Sequence, residues 1–451
     1  MESIRLGRDM ARREKLNLIV GLSIPSMLAQ ISTVMMFFID ASMVGHLGAE
    51  ASASIGLIES TTWLIGSLLS AAATGFSVQV AHFIGANDFV KARQVFRHAL
   101  ICGLLFSVCL ALMGVAIHLP LPYWLGGGSD IADNSSRYFL IYALALPFIF
   151  LYHTSEMMLK SAGNMHTPSV MAILVCICDV VFNYLFIYIF KMGVVGAAYG
   201  TALAYICISL PNLWLAACQN KILNLRQDAA RFHWVKEYVR NACKISIPIA
   251  IQNILMSGAQ IVSTMIVAPL GNIAIAAHSF AITAESLCYM PGYGIGDAAT
   301  TLVGQTHGAN RMDLCKNFAY MTVGLGMAVM ALMGVVMYVF APEMIGLLSP
   351  VESIQELGTT CLRIEAFAEP FFAASIVTYS VCVGAGDTFK PAAINLSTMW
   401  FVRLTLAYGL SKSYGLEGVW IAMAVELTFR GILFLARLFR GSWTKSFNVS
   451  R

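Results

Sequence analysis

The chain has 451 residues, 58% of them hydrophobic and only 12% charged, with a mean hydropathy of +0.74 and a net charge of +4. Soluble domains carry about 25% charged residues, so the composition excludes an ordinary water-soluble protein, and the small positive surplus reports membrane topology rather than nucleic-acid binding. The eleven cysteines form no CxxC pair and read as packed free thiols rather than a metal or disulfide framework.

Residues 1–15 are basic, with Arg5, Arg8, Arg12, Arg13 and Lys15. The apolar run behind them is too long for a removable signal peptide and lacks a small-residue cleavage site, so it is expected to stay as a first span. Twelve apolar runs follow in chain order, each long enough to cross a hydrocarbon core about 30 Å thick. They cover residues 17–43, 54–83, 97–119, 138–160, 167–190, 194–218, 245–269, 274–305, 317–341, 361–384, 391–411 and 416–438. With a cytoplasmic N-terminus, 22 of the 28 Lys and Arg residues fall on the inner side. That asymmetry predicts both termini in the cytoplasm.

Prolines interrupt the first span of each half, at Pro25 and Pro248, and PGYGIG (291–296) is expected to break the eighth span. A proline inside a helix removes one hydrogen bond, so each is read as a hinge or as a kink that its neighbours tolerate.

The chain repeats itself at one constant offset. Ile24-Pro25 returns as Ile247-Pro248, Leu47-Gly48 as Leu270-Gly271, Gly85-Ala86-Asn87 as Gly308-Ala309-Asn310, Ala162-Gly163 as Ala385-Gly386, and Pro168 as Pro391. Gap-free registry over six spans indicates duplication of a six-helix unit, and an even number of spans makes the copies parallel. The predicted fold is therefore an all-α polytopic membrane protein of two six-helix bundles related by a pseudo-two-fold axis along the membrane normal, an architecture of transporters. Its lobes are expected at 1–218 and 245–451, with 219–244 as a cytoplasmic linker.

A charge at the bilayer centre costs about 2.5–3.5 kcal/mol on insertion scales, so each acid within a span requires a reason. Asp40, Glu59, Glu156, Asp179, Glu285, Asp297, Glu369 and Glu426 are such acids. Glu426 has Arg430 one turn further on, and the two are expected to pair. No arginine or lysine is expected at comparable depth in spans 1, 4 and 5, so their acids should be protonated or hold a cation such as Na+. Asp179 and Asn183, spaced i, i+4, share one helix face. For Asp40 the opposing reading is that the first span ends there and the side chain reaches water. Glu285 and Glu369 are read either as a site for a cationic substrate or second ion, or as structural hydrogen-bond partners.

Several segments, in order, resemble the MATE family of multidrug and toxic compound extrusion antiporters. They are IPSMLAQ (24–30), MMFFIDASMVGHLG (35–48), GANDFVKA (85–92), SAGNMHTP (161–168), FNYLFIY (182–188), AAHSFAITAESLCYMPGYGIGDAATTLVGQTHGA (276–309), GAGDTFKP (384–391), MWFVRLTLAYGL (399–410) and GLEGVWIAMA (415–424). The resemblance implies that Asp40 binds the coupling cation in an N-lobe cavity, helped by Glu156, Asp179, Asn183 and Thr201, and that any Na+ would sit at Asp40, Asp179 and Asn183. The span-5 pair runs Asp then Asn, where many relatives have the reverse, and Glu156 stands where Asn is common. Met256 occupies the place of an acid that NorM-like members carry on span 7, which argues against a C-lobe sodium site of that type.

The resulting expectation is an inner-membrane antiporter that exports organic, often cationic, compounds in exchange for H+ or Na+ by alternating access. It is expected to act as a monomer in the lipid bilayer on small molecules, with no cofactor beyond the coupling ion. A lipid-linked precursor flippase is the rival within transport; away from the span ends the only arginines are Arg403 and Arg430, few for a cavity that binds pyrophosphate. A membrane enzyme is disfavoured, since no HExxH or GxSxG motif or paired histidines occur.

Overall fold

The computed structural model describes residues 1–227 and 232–445. Among these residues all regular structure is helical. The spans are α1 (Arg12–Gly45), α2 (Ala49–Gly85), α3 (Phe89–Ile117), α4 (Ser129–Ser161), α5 (His166–Ile189), α6 (Gly193–Gln219), α7 (Lys236–Leu270), α8 (Asn272–Gly308) and α9 (Met312–Leu348). The tenth is a bent pair, α10a (Glu352–Ala366) and α10b (Glu369–Gly384), with 59° between the two pieces. A 52-residue helical stretch, Phe389–Arg440, ends the series. At about 1.5 Å per residue it is more than twice as long as one crossing requires. Gly415, at φ 62°, breaks it into α11 (389–414) and α12 (416–440). The chain is thus a multi-pass membrane protein, and the twelve expected spans are present.

The duplication is legible in the backbone. Helices α2 and α8 are both 37 residues long and begin at equivalent places of the repeat, Ala49 and Asn272. The positive-φ turn residues recur in the same register: Gly48 with Gly271, Asn87 with Asn310, and Gly163 with Gly386. Asn tolerates the left-handed region better than most side chains, which is why it can stand where glycine is otherwise used.

The residues group into two compact units, Ser32–Ala250 in one and Met1–Ile31 with the residues from Ile251 onward in the other. The divisions fall inside α1 and α7, shortly after Pro25 and Pro248, so each of these helices contributes to both units. The core of the first unit includes Ile58, Leu69, Phe139, Leu146 and Phe150. That of the second includes Ala277, Ala281, Met337, Leu362 and Trp420.

One expectation about a helix break is corrected. PGYGIG does not break the eighth span: α8 runs through Pro291 without interruption. Its glycines instead admit neighbours, since a Cβ at Gly292 would meet Met330 Sδ at 2.5 Å and one at Gly296 would meet Ser380 Oγ at 2.5 Å. The sharp bend lies in the tenth span, between Ala366 and Glu369, with Pro370 in the first turn of the piece that follows. Gly334 on α9 makes room for it, because a Cβ there would lie 2.7 Å from the carbonyl oxygen of Ala366.

Candidate functional site

Asp40 lies on α1 between two apolar clusters that fix the helix in its unit. One turn earlier Met36 packs with Tyr152, Val175 and Ile208; one turn later Val44 packs with Ile187 and Ala197. The hydroxyl of Tyr188 donates to the Met43 carbonyl at 3.0 Å and ties the end of α1 to α5. These contacts turn the Asp40 carboxylate toward α5, where Asp179 is 0% and Asn183 1% exposed.

The Asn183 amide bridges the two acids, donating to Asp40 Oδ1 at 2.8 Å and to Asp179 Oδ2 at 3.1 Å. Since both acceptors are carboxylates, only the NH2 end of the amide can face them. Asp40 and Thr201 are the other polar side chains that act on the Asp179 carboxylate. By hydrogen-bond geometry Asp179 Oδ1 and Asn183 Oδ1 are nevertheless buried without a partner. Gly200 on α6 lets this pair of helices close, because a Cβ there would sit 1.9 Å from Asn183 Oδ1. Beside Thr201, the side chains of Tyr138, Tyr142 and Tyr205 line a cavity of about 10 Å³, small even for one water molecule. A stretch of wider π-helical turn, Leu185–Ile189, begins two residues after Asn183. Such turns recur at functional sites because they realign the side chains of one helix face.

Glu156 does not join this group, which corrects the expectation that it supports Asp40. Its carboxylate pairs with Lys160 at 2.8 Å and lies 3.6 Å from His153 Nδ1. The expectation that span 4 offers no basic residue at comparable depth is corrected too, since Lys160 is one turn away on the same face. Glu59 is exposed, and its backbone carbonyl accepts from the Thr62 hydroxyl at 2.8 Å.

The second unit contains a separate set of buried charges. Glu426 is fully buried and pairs with Arg430 as expected, at 2.7 Å; Arg403 joins it at 2.7 Å, which the sequence left unassigned. This triad satisfies both carboxylate oxygens of Glu426 and retains one net positive charge. Glu285 and Glu369 are buried, and Glu365, absent from the expected site, is buried with them. The charges of Glu285, Glu365, Glu369 and Arg403 act on one another. All four carboxylate oxygens of Glu365 and Glu369 are buried without hydrogen-bond partners. These two acids flank the bend between α10a and α10b.

The sequence profile of the MatE family matches residues 25–185 and 248–409. A protein of Thermotoga maritima named probable multidrug resistance protein NorM is 24% identical over 439 residues, covering 96% of this chain and 94% of its own. The uncharacterized transporter YisQ of Bacillus subtilis is 26% identical over 411 residues, 88% of each chain. Among solved structures, an outward-facing multidrug resistance MATE family transporter of the MOP superfamily superposes with a TM-score of 0.91 at 22% identity, over 99% of both chains. A MOP superfamily transporter from Pyrococcus furiosus, described as having a binding pocket of reversed polarity, superposes at 0.90 with 21% identity, again over 99% of both.

Proposed function

As the chain belongs to the MatE family, we propose that it is a cation-coupled antiporter of the inner membrane, exporting organic, often cationic, compounds in exchange for H+ or Na+. The observation that carries this reading is the Asp40–Asn183–Asp179 group. Two carboxylates that share one amide donor inside a membrane protein require a compensating positive charge, either a shared proton or a bound cation. The orphaned oxygens of Asp179 and Asn183, with the hydroxyl of Thr201, offer hard oxygen donors of the kind that Na+ accepts. A proton would need only the two carboxylates. Relatives named for multidrug resistance support small organic molecules as the cargo.

Loading this group removes net negative charge from the first unit. Such a change drives transport only if the cation binds one conformation more tightly than the other. The bias of 22 basic residues toward one side supports cytoplasmic termini. Ethidium is a suitable probe. Added to the purified protein in weakly buffered solution, it is expected to displace H+ into the medium, or 22Na+ from preloaded protein. Binding of ethidium without release of either ion would remove the antiport reading.

A second binding role is favoured by one further observation, the four unpartnered carboxylate oxygens of Glu365 and Glu369. With Glu285 they form an acidic group able to hold a cationic substrate or a second cation, while the Arg403–Glu426–Arg430 triad limits how much negative charge the group presents. Glu369→Gln or Glu365→Gln is expected to weaken ethidium binding while leaving ion binding at Asp40 intact; unchanged ethidium affinity in both variants would refute this role.

A further inference from the structure

Asp297 on α8 is an intramembrane acid that the proposed function does not use. Its Oδ2 accepts from the Ser26 hydroxyl at 2.6 Å and from the Gln30 amide at 3.3 Å. Ser26 and Gln30 are one turn apart on α1, and Ser26 is fully buried. They follow directly on Pro25, which leaves the Gly21 carbonyl without its usual helical donor and so makes α1 easiest to bend at this point. The two helices meet backbone to backbone, since a Cβ at Gly294 would lie 2.6 Å from the Met27 nitrogen.

The position of this clasp along α1 sets its consequence. Residues through Ile31 belong to one compact unit, and those from Ser32, including Asp40, belong to the other. Asp40 lies further along the same helix, about four turns beyond Ser26, so α1 carries both the clasp residues and Asp40. The other half of the repeat does not carry the clasp residues. In the register of the repeat, Asp297 corresponds to Thr74, Ser26 to Ile249 and Gln30 to Asn253, so the other half has no carboxylate there. Thr74 instead donates within its own unit, to the Ser70 carbonyl and the Met157 sulfur.

We propose that Asp297, with Ser26 and Gln30, forms a latch on α1 whose opening is an obligatory step of the transport cycle, which makes Asp297 a positioning residue for antiport. The proposal rests on the antiport reading for its cycle and on the clasp geometry for its location. A hydrogen bond to a carboxylate inside a protein is strong, and here two donors converge on one oxygen. Losing both changes an opening equilibrium by about tenfold or more.

The test combines hydrogen–deuterium exchange over residues 22–31 with ethidium efflux from proteoliposomes, for the wild type, Asp297→Ala and Asp297→Asn. Asp297→Ala is expected to speed exchange in this segment about tenfold and to change the maximal efflux rate, leaving the half-saturating ethidium concentration unchanged. Asp297→Asn keeps an acceptor oxygen and is expected to restore both readouts toward wild type. Unchanged exchange in Asp297→Ala overturns the latch. Faster exchange with wild-type efflux overturns it as well, reducing the clasp to a packing contact. A wild type that moves no ethidium under either gradient defeats the antiport reading itself, and the latch's role in the cycle falls with it.

Discussion

Replacing Gly200 by alanine tests how the cation group is held without touching a charged residue. The added Cβ would lie 1.9 Å from Asn183 Oδ1 and 2.8 Å from its backbone nitrogen. Ordinary contact between such atoms is well above 3 Å, so either α5 and α6 separate by more than an ångström or the Asn183 side chain leaves its position. Separation is overpacking, which costs about 1–3 kcal/mol. Departure of the side chain removes its bonds to Asp40 and Asp179 at 2.8 and 3.1 Å. A hydrogen bond to a charged group is worth about 1.5–3 kcal/mol, so losing one alone shifts cation affinity about tenfold to a hundredfold, tightening H+ because the lost bond favours the ionised carboxylate and weakening Na+ because the Asn183 oxygen is lost as a ligand. The assay is the Na+ or H+ concentration needed for half-maximal ethidium efflux from proteoliposomes, with thermal unfolding of the purified protein alongside. Gly56→Ala, a helical glycine whose Cβ would meet nothing within 4 Å, is the control and should be neutral or slightly stabilising. Wild-type cation dependence in Gly200→Ala would refute the view that Asn183 organises the site.

Three further outcomes follow from the charged groups and the bend. Glu426→Gln leaves Arg403 and Arg430 without their carboxylate in a buried setting, and should cost about 3–5 kcal/mol, read as a large drop in unfolding temperature. Glu156→Gln weakens a half-buried pair with Lys160, so it should lower stability by about 1–3 kcal/mol and leave the ion dependence of efflux unchanged. Gly334→Ala forces a Cβ against the Ala366 carbonyl at the bend of the tenth span, and should destabilise the protein by about 1–3 kcal/mol; an unaltered melting temperature would show that the bend adjusts freely.

The spans and their duplication were legible because each follows a local rule. A crossing must be apolar over its whole length, and the turn residues Gly48, Asn87 and Gly163 return as Gly271, Asn310 and Gly386 because the same positive-φ turns are needed in both halves. The convergence of Asp179 and Asn183 on one face followed from helix periodicity, as did the Glu426–Arg430 pair. Glu156 was assigned otherwise although its partner Lys160 stood in the sequence one turn away, a spacing that already argued for an ion pair. Glu365 was not legible, since an acid near the expected edge of a span carries no signal, whereas the bend beside it had a local signal in Pro370 and depends also on Gly334 of another helix. The Asp297 clasp joins residues 271 and 267 positions apart, and no local pattern announces such a contact.

The proposed role of Asp40 is to carry the coupling cation. It is tested most directly by ethidium efflux from proteoliposomes under an imposed pH gradient and, separately, an imposed Na+ gradient, comparing wild type with Asp40→Asn. Efflux driven by at least one gradient is expected in the wild type, and none in the variant although it still folds and binds ethidium. Undiminished gradient-driven efflux by Asp40→Asn would contradict it.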